Sequence, residues 1–425
     1  MVLGIGLAVA SPRGLQNNAQ LALLAMAAVV ILGYAFVLHE QLSAQPWLAQ
    51  LHPLWKEASE ALGVALAPSA SIARDQPFYA LGAPLAAMLA MICGFVVGAD
   101  RKRARGLIKV LAWSGVAYAV FGIGSFLIDP TKILWRDKQG HLANLTATFS
   151  NRNTAAVYFG SCAIVWLVIL SEGIRRQLPH GPIRWRELSS RLLTKLPPKV
   201  VLSFSMLLVC LAAMFMTGSR AGVVLSLVSL ILAFTAFFYR QLPRRTGVLL
   251  AVVVGGVIAL VLLEIPGAGV SGRFGAEGLA DEGRFATYRS TLRLIADHPW
   301  FGTGLGTFAW SFPAYRSPNI SMWGVWDRAH STPLEIAAEV GVPLAAVVVL
   351  AWMIVLAVLI RGAKVRRRDL AIPVAALSVA VLALLHSMID FSLQIPGYAI
   401  VVFALVGAGL AQSTRSNHRQ HPQVS

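Results

Sequence analysis

Apolar residues form ten runs of about 20 residues, and shorter polar stretches separate these runs. Since an α-helix rises about 1.5 Å per residue, a run of this length spans roughly 30 Å of hydrocarbon. The pattern therefore predicts an all-α integral membrane protein, with residues 1–425 forming a single polytopic bundle of about 10–12 transmembrane helices. The predicted spans are 20–38, 78–98, 106–127, 153–171, 199–217, 221–239, 246–265, 334–360, 371–389 and 394–411.

Basic residues indicate how the bundle is oriented. Lys and Arg concentrate in loops 99–105, 172–199, 240–245 and 361–370, which alternate along the chain with the other connections. Basic loops favour the cytoplasmic side, so both termini are predicted to be cytoplasmic. Loop 128–152, on the opposite side, is also basic, which weakens this asymmetry without reversing it.

Two polar segments lie outside the spans. Residues 412–425 form a polar tail on the cytoplasmic side, and residues 268–333 form a long insertion on the outer side. Polar groups in a membrane protein are costly unless they line a site or contact water. We therefore expect the insertion to carry the active site.

Composition excludes several classes of protein. The chain is 57% hydrophobic and 13% charged, which is too apolar for a soluble protein of 425 residues. We interpret the formal charge of +17 as contact with anionic membrane lipids, not with nucleic acid. Its three cysteines fall within apolar runs, so neither a disulfide framework nor a zinc site is expected.

Arg220 is the first candidate for binding an anion. It follows Thr217-Gly-Ser in a tight turn between two predicted spans, at their outer end. An arginine there can extend to lipid phosphate, or its guanidinium can bind a substrate phosphate in a bidentate fork. Arg152, at the outer start of another span, is a supporting candidate, while the asparagines beside it are explained by helix capping.

The segment 283–293 contains further arginines and has helical periodicity. Phe285, Tyr288, Leu292 and Ile295 are predicted to form its apolar face. A solvated surface helix would also explain its arginines. Among them, Arg284 and Arg289 are the candidates for binding substrate. The glycine-rich turn 297–306 that follows is predicted to allow close backbone packing.

His330 is the candidate general base. Thr332 and Glu335 have the spacing of a capping box, so a spanning helix is predicted to begin directly after the histidine. The positive end of a helix dipole favours a neutral imidazole beside an anion. A purely structural histidine at the interface is the alternative. Glu335 and Glu339 would be costly to bury unless they are paired, for example with an arginine of the insertion.

His386 and Asp390 are four residues apart at the end of the ninth span, and they are predicted to share a helix face. A satisfied structural pair is the favoured interpretation, with a supporting role at the site as the alternative. No metal or cofactor is expected, since arginines can stabilise a departing diphosphate in place of a divalent ion.

Several short motifs together resemble the bacterial O-antigen ligase family and the related O-antigen and exopolysaccharide polymerases. They follow the family's order over about 148–391, although Ser331 stands where members often have asparagine. The motifs are Thr148–Thr154, Thr217–Arg220, Gly283–Arg284 with Asp297–Gly306, His330 with Leu334–Gly341, and His386–Phe391.

The resemblance implies a metal-independent transferase of the C-type glycosyltransferase kind in the bacterial inner membrane. Such an enzyme moves a glycan from undecaprenyl diphosphate to an acceptor at the periplasmic face. Arg220 and Arg284 would bind the diphosphate, and His330 would activate an acceptor hydroxyl on the lipid A core. A polymerase, with a growing glycan as acceptor, is the alternative. A lipid-linked oligosaccharide transporter is a second alternative, and a structural subunit is a third.

Overall fold

The computed structural model describes residues 18–177, 197–241, 274–320, 326–366 and 369–415, with backbone alone for 274–282. These ranges contain fourteen α-helices and one two-stranded antiparallel hairpin. In chain order they are α1 Asn18–Leu42, α2 Leu54–Leu62, α3 Gln76–Ala80, α4 Gly82–Ala99, α5 Arg101–Ile128, β1 Lys132–Ile133, β2 Arg136–Asp137, α6 Arg152–Arg175, α7 Pro198–Met216, α8 Arg220–Phe238, α9 Phe274–Asp297, α10 Phe308–Ser311, α11 Thr332–Val340, α12 Val342–Val365, α13 Ala371–Ser387 and α14 Pro396–Thr414.

Eight helical segments of the described chain are long and apolar enough to cross a membrane, with α3 and α4 counted together as Gln76–Ala99. The predicted all-α polytopic architecture is confirmed. Predicted span 371–389 corresponds to α13, an apolar helix of 17 residues. Predicted span 246–265 lies outside the described residues.

The prediction of one uninterrupted span over 334–360 is wrong. The chain forms two helices, α11 and α12, which are separated at Gly341. Gly341 has a φ of 84°, and a Cβ there would collide with the carbonyl oxygen of Trp300. The amide of Val342 donates to the carbonyl of Pro299 at 2.8 Å, so the glycine-rich turn fills the break.

The glycine-rich turn also packs against α11 by backbone contact. Gly302 has a φ of 66°, and a Cβ there would collide with the backbone of Glu339. The amides of Thr303 and Gly304 donate to the carbonyls of Ala338 and Glu339, both at 3.0 Å. The prediction that these glycines permit close packing is confirmed.

α6 is the central helix of the bundle. It is buried along most of its length and packs against α7, α8 and α13. At another contact, α4 and α14 approach closely because Gly94, Gly98 and Gly407 lack side chains that would collide with the facing backbone. Small residues at helix contacts are typical of membrane bundles, because they let backbones approach. These contacts surround α6 with closely packed helices.

The basic loops meet at one end of the bundle. Arg101 and Arg105 both form ion pairs with Asp369, each at 2.6 Å. Arg240, after α8, donates to the backbone carbonyls of Lys364 and Val365. Parts of three predicted cytoplasmic loops therefore lie together, and we call this the basic end of the bundle.

α9 is helical as predicted, but its predicted apolar face is wrong. Phe285 and Leu292 are 64% and 53% exposed, whereas Thr287, Thr291 and Leu294 are buried. The Thr287 and Thr291 hydroxyls donate to helix carbonyls four residues earlier, both at 2.8 Å, so their burial leaves no unpaired donor. Small hydroxyl residues therefore form the face that packs against the protein.

Candidate active site

His330 lies in the segment between α9 and α11, at the end of the bundle opposite the basic end. Its φ is 52°, a left-handed conformation that costs a non-glycine residue roughly 1–3 kcal/mol. Its carbonyl accepts a hydrogen bond from the Tyr288 hydroxyl at 2.9 Å. The ring contacts those of Trp326 and Phe391, with centroid distances of 5.9 and 5.4 Å. These contacts hold the imidazole in place against the strained backbone.

Asp390 faces His330. Its Oδ1 lies 4.0 Å from His330 Nδ1, and its side chain is only 2% exposed. The carboxylate accepts hydrogen bonds from the Asn153 side chain at 2.6 Å and from the Phe391 amide at 2.7 Å. A partly buried histidine and a buried carboxylate are thus adjacent, just beyond hydrogen-bond distance.

The predicted helical pairing of His386 with Asp390 is corrected. α13 ends at Ser387, so the two residues do not share a helix face. His386 Nδ1 lies 3.1 Å from the Ser392 hydroxyl, and its carbonyl accepts from the Asp390 amide at 2.9 Å. Because the chain turns after Ser387, the Asp390 carboxylate is directed to Asn153 and His330.

The turn that carries Arg220 belongs to the same region. The Ser219 hydroxyl donates to Asn153 Oδ1 at 2.7 Å, and Arg220 is the first residue of α8, with an exposed side chain. Arg152 donates to the Asn144 side chain at 3.2 Å, and a Cβ at Gly218 would collide with that same amide. Arg152 and Arg220 therefore sit on two segments that meet beside Asp390.

Arg284 reaches the site from α9, one turn before Tyr288. Burial lowers the pKa of His330 below its ordinary value, Asp390 opposes this, and the positive charge of Arg284 lowers it further. The neutral imidazole is thus favoured near pH 7.

Arg289 lies elsewhere on the same helix. It is exposed and five residues beyond Arg284, a rotation of about 140° around the helix axis. The two arginines therefore point in different directions, and Arg284 is the one directed to the histidine.

The first turn of α11 corrects the predicted capping box. Ser331 is the N-cap, and the Thr332 hydroxyl donates to the Asp390 carbonyl at 3.2 Å. Glu335 instead accepts from the Ala329 amide at 2.7 Å and from Arg328 at 3.0 Å. The cost of burying a carboxylate predicted that Glu335 would pair with an arginine of the insertion, and Arg328 is that arginine. The glutamate thereby fixes the segment that carries His330.

Arg328 and Glu339 complete the polar surroundings of α11. Arg328 also donates to the Gln394 side chain at 2.7 Å, and its guanidinium lies 5.8 Å from the Phe391 ring centroid. Glu339 is buried and accepts from the Phe308 amide at 3.1 Å. Burial raises the pKa of Glu339, and the nearby charge of Glu335 raises it further. Glu339 therefore has a structural role, holding the segment after the glycine-rich turn.

An apolar cavity of about 580 Å³ opens beside Arg328. Its polar end contains Glu335, Gln394 and Thr332, and its walls come largely from α1, α4, α12 and α14. Val30, Ala87, Ala351 and Trp352 are among the lining residues. Such walls would accept the hydrocarbon chain of a lipid, and the polar end of the cavity lies toward the His330 segment.

Sequence reasoning assigned Asn153 to capping and Tyr288 to an apolar face, and it left Arg328 undecided. Of these three residues, only Asn153 could have been recognised from its local sequence. Asn151 already caps α6 by accepting from the Asn153 amide at 2.7 Å, so a second asparagine two residues later is not needed as a cap and indicates another role.

The fold and this site define a multi-pass helical membrane protein with a cationic, histidine-containing site at the end of the bundle opposite the basic end. Residues 205–349, about a third of the chain, match the family model described as O-antigen ligase. The match includes Arg220, Arg284 and His330, and it supports the O-antigen ligase family that the ordered motifs indicate. Membrane glycosyl transfer of the ligase or polymerase type follows from this family. No curated protein sequence matches the chain.

Proposed function

We propose that this protein transfers a glycan from undecaprenyl diphosphate to a hydroxyl of the lipid A core, with His330 as general base. The observation that carries the proposal is the juxtaposition of His330 with a buried carboxylate on one side and the charge of Arg284 on another. A base, a carboxylate that orients it and cations for a leaving group are what this transfer needs.

The lowered pKa of His330 favours the neutral imidazole that a general base requires. Because Nδ1 faces Asp390, the tautomer with a proton on Nδ1 leaves Nε2 free to accept a proton. The acceptor hydroxyl gives its proton to Nε2 as its oxygen bonds to the anomeric carbon. The bond from that carbon to the diphosphate oxygen breaks, and the diphosphate leaves with the electron pair.

Arg220 and Arg284 would stabilise the charge that develops on the diphosphate. Guanidinium groups bind phosphate oxygens through parallel hydrogen bonds, and they do so strongly where water is partly excluded. Arg152 lies on the segment that meets the Arg220 turn, so it is a supporting cation. Arg289 is exposed and rotated away from Arg284, so we assign it at most a peripheral contact with the donor. With these cations the reaction needs neither a metal ion nor a cofactor.

A lipid-linked substrate is supported by the apolar cavity beside the His330 segment. Its 580 Å³ would accept hydrocarbon from the membrane. Because the polar end has Glu335 and Asp327 against a single arginine, Arg328, we assign only the hydrocarbon to this cavity and the diphosphate to Arg220 and Arg284.

We place the protein in the bacterial inner membrane, with the basic end and both termini in the cytoplasm and His330 toward the periplasm. Positively charged loops are retained on the cytoplasmic side, and the basic loops meet at one end of the bundle. The insertion 268–333 then supplies the periplasmic part of the site.

The test is transfer by the purified protein in lipid nanodiscs. Undecaprenyl-diphosphate-linked glycan is incubated with lipid A core or with a second glycan, with EDTA present throughout. We expect transfer to the lipid A core, and a loss of roughly 10²–10⁴-fold for His330→Ala, the usual contribution of a positioned base. His298→Ala is the matched control, since His298 stacks on His52 in another part of the insertion.

The outcomes separate the alternatives. Transfer only to the second glycan would identify a polymerase, and transfer that requires a divalent ion would contradict metal independence. Normal transfer by folded His330→Ala protein would refute the general base. Movement of lipid-linked glycan across vesicle membranes without any transfer would favour a transporter.

A further inference from the structure

Asn153 uses both ends of its side-chain amide at the candidate site. Its Oδ1 accepts from the Ser219 hydroxyl at 2.7 Å, and its Nδ2 donates to Asp390 Oδ2 at 2.6 Å. A carboxylate can only accept, so the NH₂ group must face Asp390. The amide therefore has one orientation, and it links α6 to the turn before α8 and to the segment after α13.

Helix capping does not explain this side chain. Asn151 caps α6 by accepting from the backbone amide of residue 153 at 2.7 Å. Asn153 comes after the cap, inside the first turn of the helix, where its side chain satisfies no helix amide. Its two partners are 66 and 237 residues away in sequence, so its contacts are tertiary.

Asp390 depends on Asn153 for its orientation. The Phe391 amide holds Oδ1 at 2.7 Å, while Asn153 holds Oδ2 at 2.6 Å. With both oxygens held, Oδ1 lies 4.0 Å from His330 Nδ1. Without the Asn153 amide, the carboxylate would keep a single backbone contact and could rotate away from the histidine.

We propose that Asn153 is a positioning residue, which directs the Asp390 carboxylate toward His330 and joins this pair to the turn that carries Arg220. The inference rests on the proposed function, in which His330 is the base. It adds that one partly buried amide holds the groups that bind the diphosphate and the group that takes the proton at a fixed distance from each other.

The charged groups that face His330 come from three segments. They are Asp390 after α13, Arg284 on α9 and Asp327 in the segment before the histidine. Asp390 and Asp327 favour the imidazolium and Arg284 disfavours it. Rotation of Asp390 away from the ring would therefore make the histidine harder to protonate.

The test compares Asn153→Ala, Asp390→Ala and the double variant in the transfer assay. We expect Asn153→Ala to lower kcat about 10- to 100-fold, a part of the roughly 10²–10⁴-fold that a positioned base contributes, with a smaller change in the donor KM. If Asn153 acts through Asp390, it has no further effect on kcat once Asp390 is alanine. Asn151→Ala is the matched control, because it removes the cap of the same helix and leaves Asp390 held.

A second measurement does not require transfer. Modification of His330 by diethyl pyrocarbonate, followed by mass spectrometry across pH, reports the protonation of this ring. We expect Asn153→Ala and Asp390→Ala to move its midpoint to lower pH by similar amounts, and Asn151→Ala to leave it in place. Asn153→Leu, which keeps the size and adds no charge but cannot donate to Asp390, serves if the alanine variant does not fold.

Additive losses of kcat, or a midpoint that does not move with Asn153, would overturn the positioning role. Absence of transfer by the wild-type protein would instead refute the proposed function, and the modification midpoints would still decide whether Asn153 orients Asp390.

Discussion

Each end of the bundle contains an aspartate with a buried side chain, but only the aspartate at the basic end is in direct contact with neighbouring cationic side chains. At the basic end, Asp369 is 5% exposed and is contacted at 2.6 Å by both Arg101 and Arg105. At the opposite end, Asp390 is 2% exposed, and its oxygen remains 4.0 Å from His330. Asp390 takes its hydrogen bonds from an amide side chain and a backbone amide instead.

This difference separates structural charge from functional charge. In an ion pair that stabilises a fold, the two charged groups are in direct contact within the protein, since an unpaired buried charge is costly. Groups that move protons or bind substrate are held near each other by neutral partners, and such contacts often tighten only when substrate binds. The comparison predicts that substitutions at the two ends will affect different properties of the protein.

After His330→Ala, the largest effect is expected from Arg284→Ala at the site end. Loss of a cation that stabilises a leaving group typically lowers the rate about 10²–10³-fold, and we expect this fall in kcat/KM with little change in melting temperature. Arg293→Ala is the matched control, because Arg293 is exposed on the same helix, about 180° around its axis. Equal effects of the two substitutions would show that general surface charge, and not Arg284 itself, supports transfer.

A smaller effect of another kind is expected from Asp369→Asn at the basic end. Asparagine tolerates the φ of 55° at this position, so the substitution removes charge without adding backbone strain. The arginines are about two-fifths exposed, so we expect a loss of about 1–2 kcal/mol in stability. Thermal melting in detergent measures it, and kcat per folded molecule should stay within about twofold of wild type. A large loss of kcat at unchanged stability would contradict the division between the two ends.

Much of the fold could be predicted because hydrophobic length is a local property. Seven predicted spans correspond to helices that can cross a membrane, since each is a single apolar run. The eighth such helix, α12, was predicted with a wrong beginning, because apolar length outweighed the boundary signals of Gly341 and Pro343 in the run from 334 to 360. The break exists because the glycine-rich turn packs there, which is a tertiary contact.

The site was only partly predictable, for the same reason. The pairing of Glu335 with an insertion arginine follows from the cost of burying a carboxylate, although the sequence did not identify Arg328. The approach of Asn153, Asp390 and His330 depends on helices brought together from distant parts of the chain. The buried face of α9 was predicted wrongly because a threonine can be buried when its hydroxyl donates to a carbonyl of its own helix. A hydrophobicity pattern does not include this hydrogen bond.

The smallest and most specific prediction concerns the pH dependence of transfer. Burial and Arg284 lower the pKa of His330 below its ordinary value of 6.5, so the midpoint of the acid limb of wild-type kcat/KM should lie below that pH. Removing the positive charge in Arg284→Gln raises the pKa, so the imidazole protonates earlier and the acid limb moves to higher pH. Arg284→Lys keeps the charge and should leave the limb close to its wild-type position. Profiles of kcat/KM for the donor from pH 5 to 8 measure the limb. A limb that moves to lower pH in the glutamine variant would mean that Arg284 does not act on His330 through its charge. The rate loss in Arg284→Ala would then report only weaker binding of the donor. The two ends of the bundle would still differ in the residues around their buried aspartates, but the charge of Arg284 would have no role in setting the pKa of His330.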